Sequence, residues 1–173
     1  LAEAEGVSDF ETLNEILDSR NDNDPRLDIE FKNLTPQAKT LFREKYRSLA
    51  PERRNEKGTL VFLLGRSIDS VEDLAFLKDV LNETPCASLA NCAKATPTSD
   101  RDDHAELGID VTLAYPQVVA LKSLERLLES DKHTDLKDLL EGSRKVLSEM
   151  QRSQVPTVAR FAQEIHQRVV ERR

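Results

Sequence analysis

Apolar residues recur at intervals of three and four along most of this 173-residue chain, which is the spacing of amphipathic α-helices. One clear stripe follows Pro36 and consists of Ala38, Leu41, Phe42, Tyr46 and Leu49. The segment 60–64 is apolar at every position and so covers more than one face of a helix. We therefore expect the helix over residues 51–66 to be enclosed by neighbours on several sides.

Helix-start signals divide the chain into short helices. A side chain that accepts a backbone N–H bond stands either in a capping box or before a proline of the first turn. These signals are Ser8-Asp9-Phe10-Glu11, Asp24-Pro25, Thr35-Pro36 and Ser70-Val71-Glu72-Asp73, and Pro156 suits the first turn of the last helix. Few glycines, few aromatic residues and abundant Leu, Glu, Lys and Arg also favour helix over strand. The sequence predicts an all-α protein.

The chain has the length of one globular domain, and its helical pattern is interrupted once. Residues 1–35 are predicted to form acidic N-terminal helices, and residues 36–83 and 113–172 to form helix pairs. Residues 84–112 lack periodicity and are predicted to form a long loop, which in compact domains is usually functional, disordered or covalently pinned. We expect a single helical domain with this loop as its exceptional part.

Glycine content and apolar run length exclude several kinds of site. The five glycines are scattered, so the chain has no P-loop, dinucleotide-binding fingerprint or nucleophile elbow. The longest apolar run has five residues, whereas a helix that crosses a bilayer needs about 18 or more. We therefore expect no membrane span, and no motif of the chain calls for a cofactor.

Charge is distributed unevenly along the chain. The formal net charge of -7 argues against general nucleic-acid binding, which depends on clustered Lys and Arg. Residues 1–30 carry ten acids and two bases, a net charge of -8, while residues 39–57 carry seven bases and three acids, a net charge of +4. Intramolecular complementarity or a solvated face explains this pattern, and the alternative is a basic docking patch. The candidate contacts of such a patch are Arg43, Arg47, Arg53 and Arg54.

Cys86 and Cys92 have five residues between them, a spacing that suits a small disulfide loop. Free thiols and a metal site are the alternatives. Closing a loop of this length stabilises a fold by about 2 kcal/mol in the chain-entropy model. Disulfides persist in oxidising compartments, and the chain begins at Leu1 without Met, as expected after removal of a leader. We therefore expect a periplasmic or secreted protein.

Two groups of acidic residues raise the question of cation binding. Asp102, Asp103 and His104 lie in the predicted loop and form either a cation site or a solvated acidic segment. Four aspartates between positions 18 and 28 lack the glycine and the terminal glutamate of a calcium loop, so helix capping and solubility explain them better. We expect no bound metal, and we take Asp102, Asp103 and His104 as candidate contacts to a partner.

Two stretches of the chain are similar to one another. Leu64-Gly65-Arg66 leads into Asp73-Leu74 and Lys78-Asp79-Val80-Leu81, and Leu124-Glu125-Arg126 leads into Asp135-Leu136 and Lys137-Asp138-Leu139-Leu140. Both predict a helix, a short acidic turn and a second helix. Over roughly residues 36–172 the chain resembles HEAT-like α-solenoid proteins. The resemblance implies stacked antiparallel helix pairs, stabilised by Asp69 or Asp131 with Arg66 or Arg126. An irregular helical bundle is the alternative.

What the resemblance implies about function is a scaffold that presents a surface to another protein. Because the chain contains no catalytic motif, we expect a non-catalytic interaction protein that uses the solenoid surface or the loop at 84–112. One alternative is a metal-dependent or hydrolytic enzyme that uses Cys86, Cys92 and His104. Another is a HEAT-like nucleic-acid binder that uses the basic residues 39–57, which the acidic net charge disfavours.

Overall fold

The structure is a computed structural model that describes residues 2–21, 23–95, 103–130 and 136–171. Across these residues the secondary structure is helical and contains no strand, which confirms the prediction of an all-α protein. The helices are α1 (Ala2–Ser19), α2 (Arg26–Ile29), α3 (Pro36–Ser48), α4 (Arg54–Arg66), α5 (Val71–Asn82), α6 (Asp103–Leu113), α7 (Tyr115–Glu129), α8 (Lys137–Met150) and α9 (Pro156–Glu171).

The apolar stripes of the sequence form the core. Phe42 and Tyr46 of α3 are buried, and each ring meets another aromatic ring edge-on. In the apolar segment of α4, the side chains at positions 60, 61, 63 and 64 are buried and Phe62 is half-buried. The expectation that this helix is enclosed on several sides is confirmed, because α3, α5 and α7 all pack against it.

Local capping signals mark some helix starts correctly and one incorrectly. The Thr35 hydroxyl accepts the N–H of Ala38 at 3.1 Å, and Ser70 with Asp73 forms a complete capping box at the start of α5. The predicted start at Ser8 is wrong, since α1 begins at Ala2. The residues before Ser8 include two Ala and two Glu, which are strong helix formers, so the helix extends upstream of the cap-like sequence.

The irregular segment after α5 is shorter than predicted. Residues 103–112 fall within α6 rather than in a loop. From Gly108 to Leu113, the part of α6 whose burial the structure describes, the residues are exposed or half-buried, so this part has no buried stripe that would produce an apolar periodicity. The sequence pattern therefore did not predict α6, whose end leads directly into α7.

Helices α4 and α7 approach each other closely through two glycines. A Cβ at Gly58 would lie 2.2 Å from the ring of Tyr115, and a Cβ at Gly65 would lie 2.1 Å from the Ser123 hydroxyl. The contacts advance along both helices together, so α4 and α7 run parallel. Glycine is required at these positions because any larger side chain would push the helices apart.

Helices α5 and α8 also pack side by side. Leu74 of α5 lies beside Gly142 of α8, and Lys78 forms an ion pair with Glu149 at 2.6 Å. These contacts also advance together, so α5 and α8 run parallel. Helix α7 contacts α5, α8 and α9 as well as α4, which places it at the centre of the molecule.

A buried ion cluster joins α3 to the start of α5. Lys39 and Asp73 are each only 3% exposed. The Lys39 ammonium donates to Asp73 Oδ2 at 2.9 Å and to the Ser67 carbonyl, and it lies 2.8 Å from Asp69 Oδ1. The Asp73 carboxylate also binds Arg43 and accepts the N–H groups of Asp69 and Ser70. Every ammonium proton of Lys39 thus has an acceptor, which is what makes the buried charges tolerable.

This cluster makes stability depend on pH in a defined direction. Burial by itself would raise the pKa of Asp73, but the hydrogen bonds from Lys39 and from the Asp69 N–H outweigh it and lower that pKa. The pKa of an aspartate in the unfolded chain is about 3.9, and the pKa of Asp73 in the folded protein is lower. Ionised Asp73 therefore stabilises the fold above the unfolded pKa, and this stabilisation is lost as pH falls through the folded pKa.

We expect the difference in unfolding free energy between the wild type and Asp73→Asn to shrink as pH falls from about 5 to about 2. Urea unfolding followed by circular dichroism at several pH values measures this difference. A difference that stays constant or grows on acidification would show that Asp73 does not titrate as described.

Candidate interaction surface

Most of the bases in residues 39–57 are engaged inside the molecule. Arg43 binds the buried Asp73, and Lys57 pairs with Glu83 at 3.0 Å while its ammonium lies over the Tyr46 ring. The ion pairs described for these bases are with acids at positions 56, 69, 73 and 83. Ion pairs within the molecule therefore explain much of the positive charge of residues 39–57. The acids of these pairs come from positions 56–83. Arg47 lies on the exposed face of α3.

The Tyr46 hydroxyl shares the Glu83 carboxylate with Lys57. It donates to Glu83 Oε2 at 2.9 Å. Burial first, and then the neighbouring Glu83 charge, raise the pKa of Tyr46. The side chain is thus a neutral donor at ordinary pH, and its contacts hold α3 against the end of α5.

Arg53 and Arg54, both candidate contacts, lie where α4 begins. The Arg53 guanidinium donates to the Leu17 carbonyl at 3.1 Å and to Glu56 Oε1 at 3.0 Å. The Arg54 guanidinium donates to the carbonyl of Leu89 at 3.4 Å. Arg54 thereby connects the start of α4 to the segment that contains the two cysteines.

Cys86 and Cys92 form a disulfide, as predicted. The closed loop of residues 86–92, here called the disulfide ring, is ordered by internal bonds from the Ala87 N–H to the Cys92 carbonyl at 3.0 Å and between Ser88 and Asn91. The Cys86 N–H also donates to the carbonyl of Leu113 at the end of α6. The ring presents Leu89 to solvent with half of its surface, 50%, exposed.

A cavity of about 320 Å³ opens beside Arg53 and Arg54. It is lined by Arg20, Glu52, Arg53, Arg54, Asn55 and Glu56, and is called the arginine cavity below. Three arginines and two glutamates line it, and one of the glutamates, Glu56, is already paired with Arg53. The arginine cavity is therefore a cationic site on a protein whose net charge is negative.

Arg20 enters this cavity through an unusual backbone conformation. It follows the last residue of α1 with a φ of 54°, in the left-handed region where glycine is the favoured residue. The left-handed conformation costs a residue with a Cβ about 1 kcal/mol. Its N–H donates to the Leu17 carbonyl, which Arg53 also binds, so Arg20 and Arg53 share an anchor at the end of α1.

The two arginines assigned to the repeat positions form a second surface. Arg66 and Arg126 both lie over the ring of Phe62, at 5.2 and 5.6 Å from its centre. Cavities of about 330 and 180 Å³ open on the two sides of this stack, the first beside the exposed Tyr115 and the second between the arginines. Arg66 additionally pairs with Asp28 at 3.0 Å.

Other candidate residues have different positions. Asp69 pairs with Lys39, and Asp131 and Asp102 lie outside the described residues. Asp103 and His104 begin α6, but their side chains lie outside the described part of the chain. Cys86 and Cys92 are joined to each other, so neither is a free thiol.

The described residues contain no group of three or more His, Cys, Asp or Glu arranged to hold a metal ion. None of the helices in the same parts of the chain combines the length and the apolar character of a membrane span.

Sequence reasoning singled out Arg53, Arg54 and the cysteine segment separately, and the structure brings them together. It missed Arg20, because the left-handed turn and the neighbouring start of α4 leave no mark in the local sequence. Leu89 did carry a signal, as the one large apolar residue inside the short loop that the cysteines close. The candidate surface therefore consists of the disulfide ring with Leu89 at its tip and the adjoining arginine cavity.

Comparison with family models, with curated proteins and with solved structures finds no match to this chain.

Proposed function

We propose that this protein is a non-catalytic scaffold that binds another protein through the disulfide ring and the arginine cavity. The observation that carries the proposal is the bond from Arg54 to the Leu89 carbonyl, which joins an exposed apolar residue to a cluster of guanidinium groups. Arginine is enriched among the residues that dominate protein interfaces, and an apolar anchor at the centre of a polar rim is their usual arrangement.

The disulfide ring suits Leu89 to the role of an anchor. Ordering a flexible loop on binding costs conformational entropy, which a covalently closed ring has already lost during folding. Internal bonds at Ala87, Ser88 and Asn91 restrict the ring further. Burying the exposed half of the Leu89 side chain would contribute about 1 kcal/mol to binding.

The packing of the central helices supports a HEAT-like scaffold. Helix α4 runs parallel to α7 and α5 runs parallel to α8, so the second predicted helix pair repeats the direction of the first. Stacked repeats have this relation, because equivalent helices of successive repeats are neighbours. Such scaffolds commonly bind proteins along an extended surface.

The disulfide also supports an extracytoplasmic location, periplasmic or secreted. Disulfides persist in oxidising compartments and are rare where thiols are kept reduced. The ring would open in a reducing compartment and Leu89 would lose its fixed position. We therefore propose that the protein meets its partner outside the cytoplasm.

Site-specific photo-crosslinking tests the proposed surface. A photoreactive amino acid placed at position 89 in the whole, oxidised chain is expected to yield one defined adduct with a protein from the native envelope or extracellular fraction. The matched control carries the same group at Val71, which is 70% exposed on α5. We expect an excess of unlabelled wild-type protein, but not of Leu89→Ser, to suppress the adduct.

The proposal fails if position 89 yields no defined adduct, or if position 71 yields the same adducts in the same proportion. It also fails if Leu89→Ser competes as well as the wild type, since the exposed leucine would then make no contribution to binding.

A further inference from the structure

We infer that the arginine cavity binds carboxylate side chains of an acidic segment in the partner protein. This inference rests on the proposed function and deepens it, because it assigns a chemistry to the partner. Arg20, Arg53 and Arg54 line the cavity, whose volume of about 320 Å³ is large enough to admit carboxylate side chains.

The hydrogen bonds described for Arg53 and Arg54 use only some of their N–H donors. A guanidinium group has five N–H donors, and Arg54 uses one of them on a backbone carbonyl. Its buried Nε has no acceptor among the described residues. Arg53 uses Nε on Glu56 and one terminal nitrogen on the Leu17 carbonyl. Because a guanidinium binds a carboxylate through parallel hydrogen bonds, the remaining terminal donors suit carboxylate ligands.

The backbone conformation of Arg20 is a second observation that supports a carboxylate-binding site. It occupies the left-handed position after α1, where glycine is favoured and where most side chains are disfavoured. Strained residues of this kind concentrate at functional sites, so the outlier points to a role for the side chain. That side chain adds a third positive charge to a cavity whose other two arginines come from the start of α4.

The surroundings favour an acidic protein segment over a nucleic acid. Glu52 and Glu56 line the same cavity and, with the net charge of -7, repel every polyanion. A nucleic acid carries a phosphate charge on every nucleotide, whereas a protein segment can place a few carboxylates among neutral residues and is repelled less. Leu89 adds an exposed apolar side chain on the ring that Arg54 holds. A protein segment offers both carboxylates and apolar side chains, which match the two halves of this surface.

A peptide titration followed by nuclear magnetic resonance tests the inference. The probe is a synthetic 12-residue peptide of alternating Glu and Leu, and its control has Gln in place of each Glu. In the oxidised, ¹⁵N-labelled full chain at low salt, we expect the Glu peptide to shift the amide signals of residues 20, 53–56 and 87–91. We expect the Gln peptide to bind at least about fivefold more weakly.

Arg20→Gly separates binding from folding. This change removes one guanidinium and places glycine where the backbone favours it, so thermal unfolding should occur at the same or a higher temperature. We expect the Kd for the Glu peptide to rise about fivefold. The control is Arg126→Glu, which changes another exposed arginine, on the other surface, and lowers the net charge by two units where Arg20→Gly lowers it by one. It should change the Kd by less than about twofold.

Three results would overturn the inference. One is an Arg20→Gly variant that binds the Glu peptide as tightly as the wild type. Another is an equal loss of affinity in Arg126→Glu, which would indicate a general effect of charge. The third is stronger binding by inorganic phosphate or by a single-stranded oligonucleotide than by the peptide, which would assign the cavity to phosphate. Crosslinking through position 89 is independent of all three, so it distinguishes failure of this inference from failure of the proposed function.

Discussion

Replacing Asp73 with alanine is expected to lower the free energy of unfolding by about 3–5 kcal/mol. The substitution leaves the buried Lys39 ammonium and the Arg43 guanidinium without their shared carboxylate. It also removes the capping box at the start of α5. Lys39 keeps only the exposed Asp69 carboxylate as an ion-pair partner, and removing one partner of a buried charge is strongly destabilising. Urea unfolding at neutral pH, followed by circular dichroism at 222 nm, measures the effect.

Two further variants test whether the stability lost in Asp73→Ala comes from the buried ion cluster. Asp79→Ala removes an exposed carboxylate from the same helix and should change the unfolding free energy by no more than about 0.5 kcal/mol. Combining Asp73→Ala with Lys39→Met removes the stranded charge, so the double variant should lose less stability than the sum of the single losses. A loss of under about 1 kcal/mol in Asp73→Ala would contradict the account of the buried cluster.

Replacing Gly65 with alanine is expected to destabilise the protein by about 2–3 kcal/mol, although alanine is the better helix former. The added Cβ would lie 2.1 Å from Oγ and 2.5 Å from Cβ of Ser123, which is buried in α7. Rotation about χ1 could move Oγ, but Cβ of Ser123 is fixed by the backbone of α7, so the two helices must move apart. Thermal unfolding of the single variant measures the loss.

A second substitution and a control test whether the stability lost in Gly65→Ala comes from a steric clash with Ser123. Ser123→Gly removes both clashing atoms, so the Gly65→Ala/Ser123→Gly double variant should regain most of the lost stability, less about 1 kcal/mol for glycine within a helix. Gly108→Ala adds a methyl group where no other atom lies within 4 Å, and it should stabilise the protein by about 0.5–1 kcal/mol. If Ser123→Gly fails to restore stability, the close approach of α4 and α7 is not the reason for Gly65.

Local signals predicted the helices well where the deciding interaction is itself local. Thr35 and Ser70 cap α3 and α5 through residues within three positions of themselves, so their roles are visible in the sequence. Ser8 belongs to a similar pattern, but the helix-forming residues before it extend α1 past the signal. Helix α6 was missed because a surface helix does not need an apolar stripe.

Tertiary contacts explain what sequence reasoning did not predict about the candidate surface. Arg54 and Leu89 are 35 positions apart, and no local pattern shows that one donates to the other. Lys39 belongs to the basic segment for which a docking patch was the alternative explanation, yet it is buried and pairs with Asp69 and Asp73. Charge patterning gives the number of bases and acids in a segment, whereas the pairing depends on which helices meet.

The central position of α7 also bears on the order in which this protein is made. During synthesis α3, α4 and α5 emerge before α7, and their ion cluster at Lys39, Asp69 and Asp73 needs no later residue. The glycine face of α4 is different, because Tyr115 and Ser123 cover it and both lie in α7. Until α7 has been synthesised, the face of α4 that contains Gly58 and Gly65 has no helix to pack against. The first half of the domain therefore completes its packing only when the second half joins it.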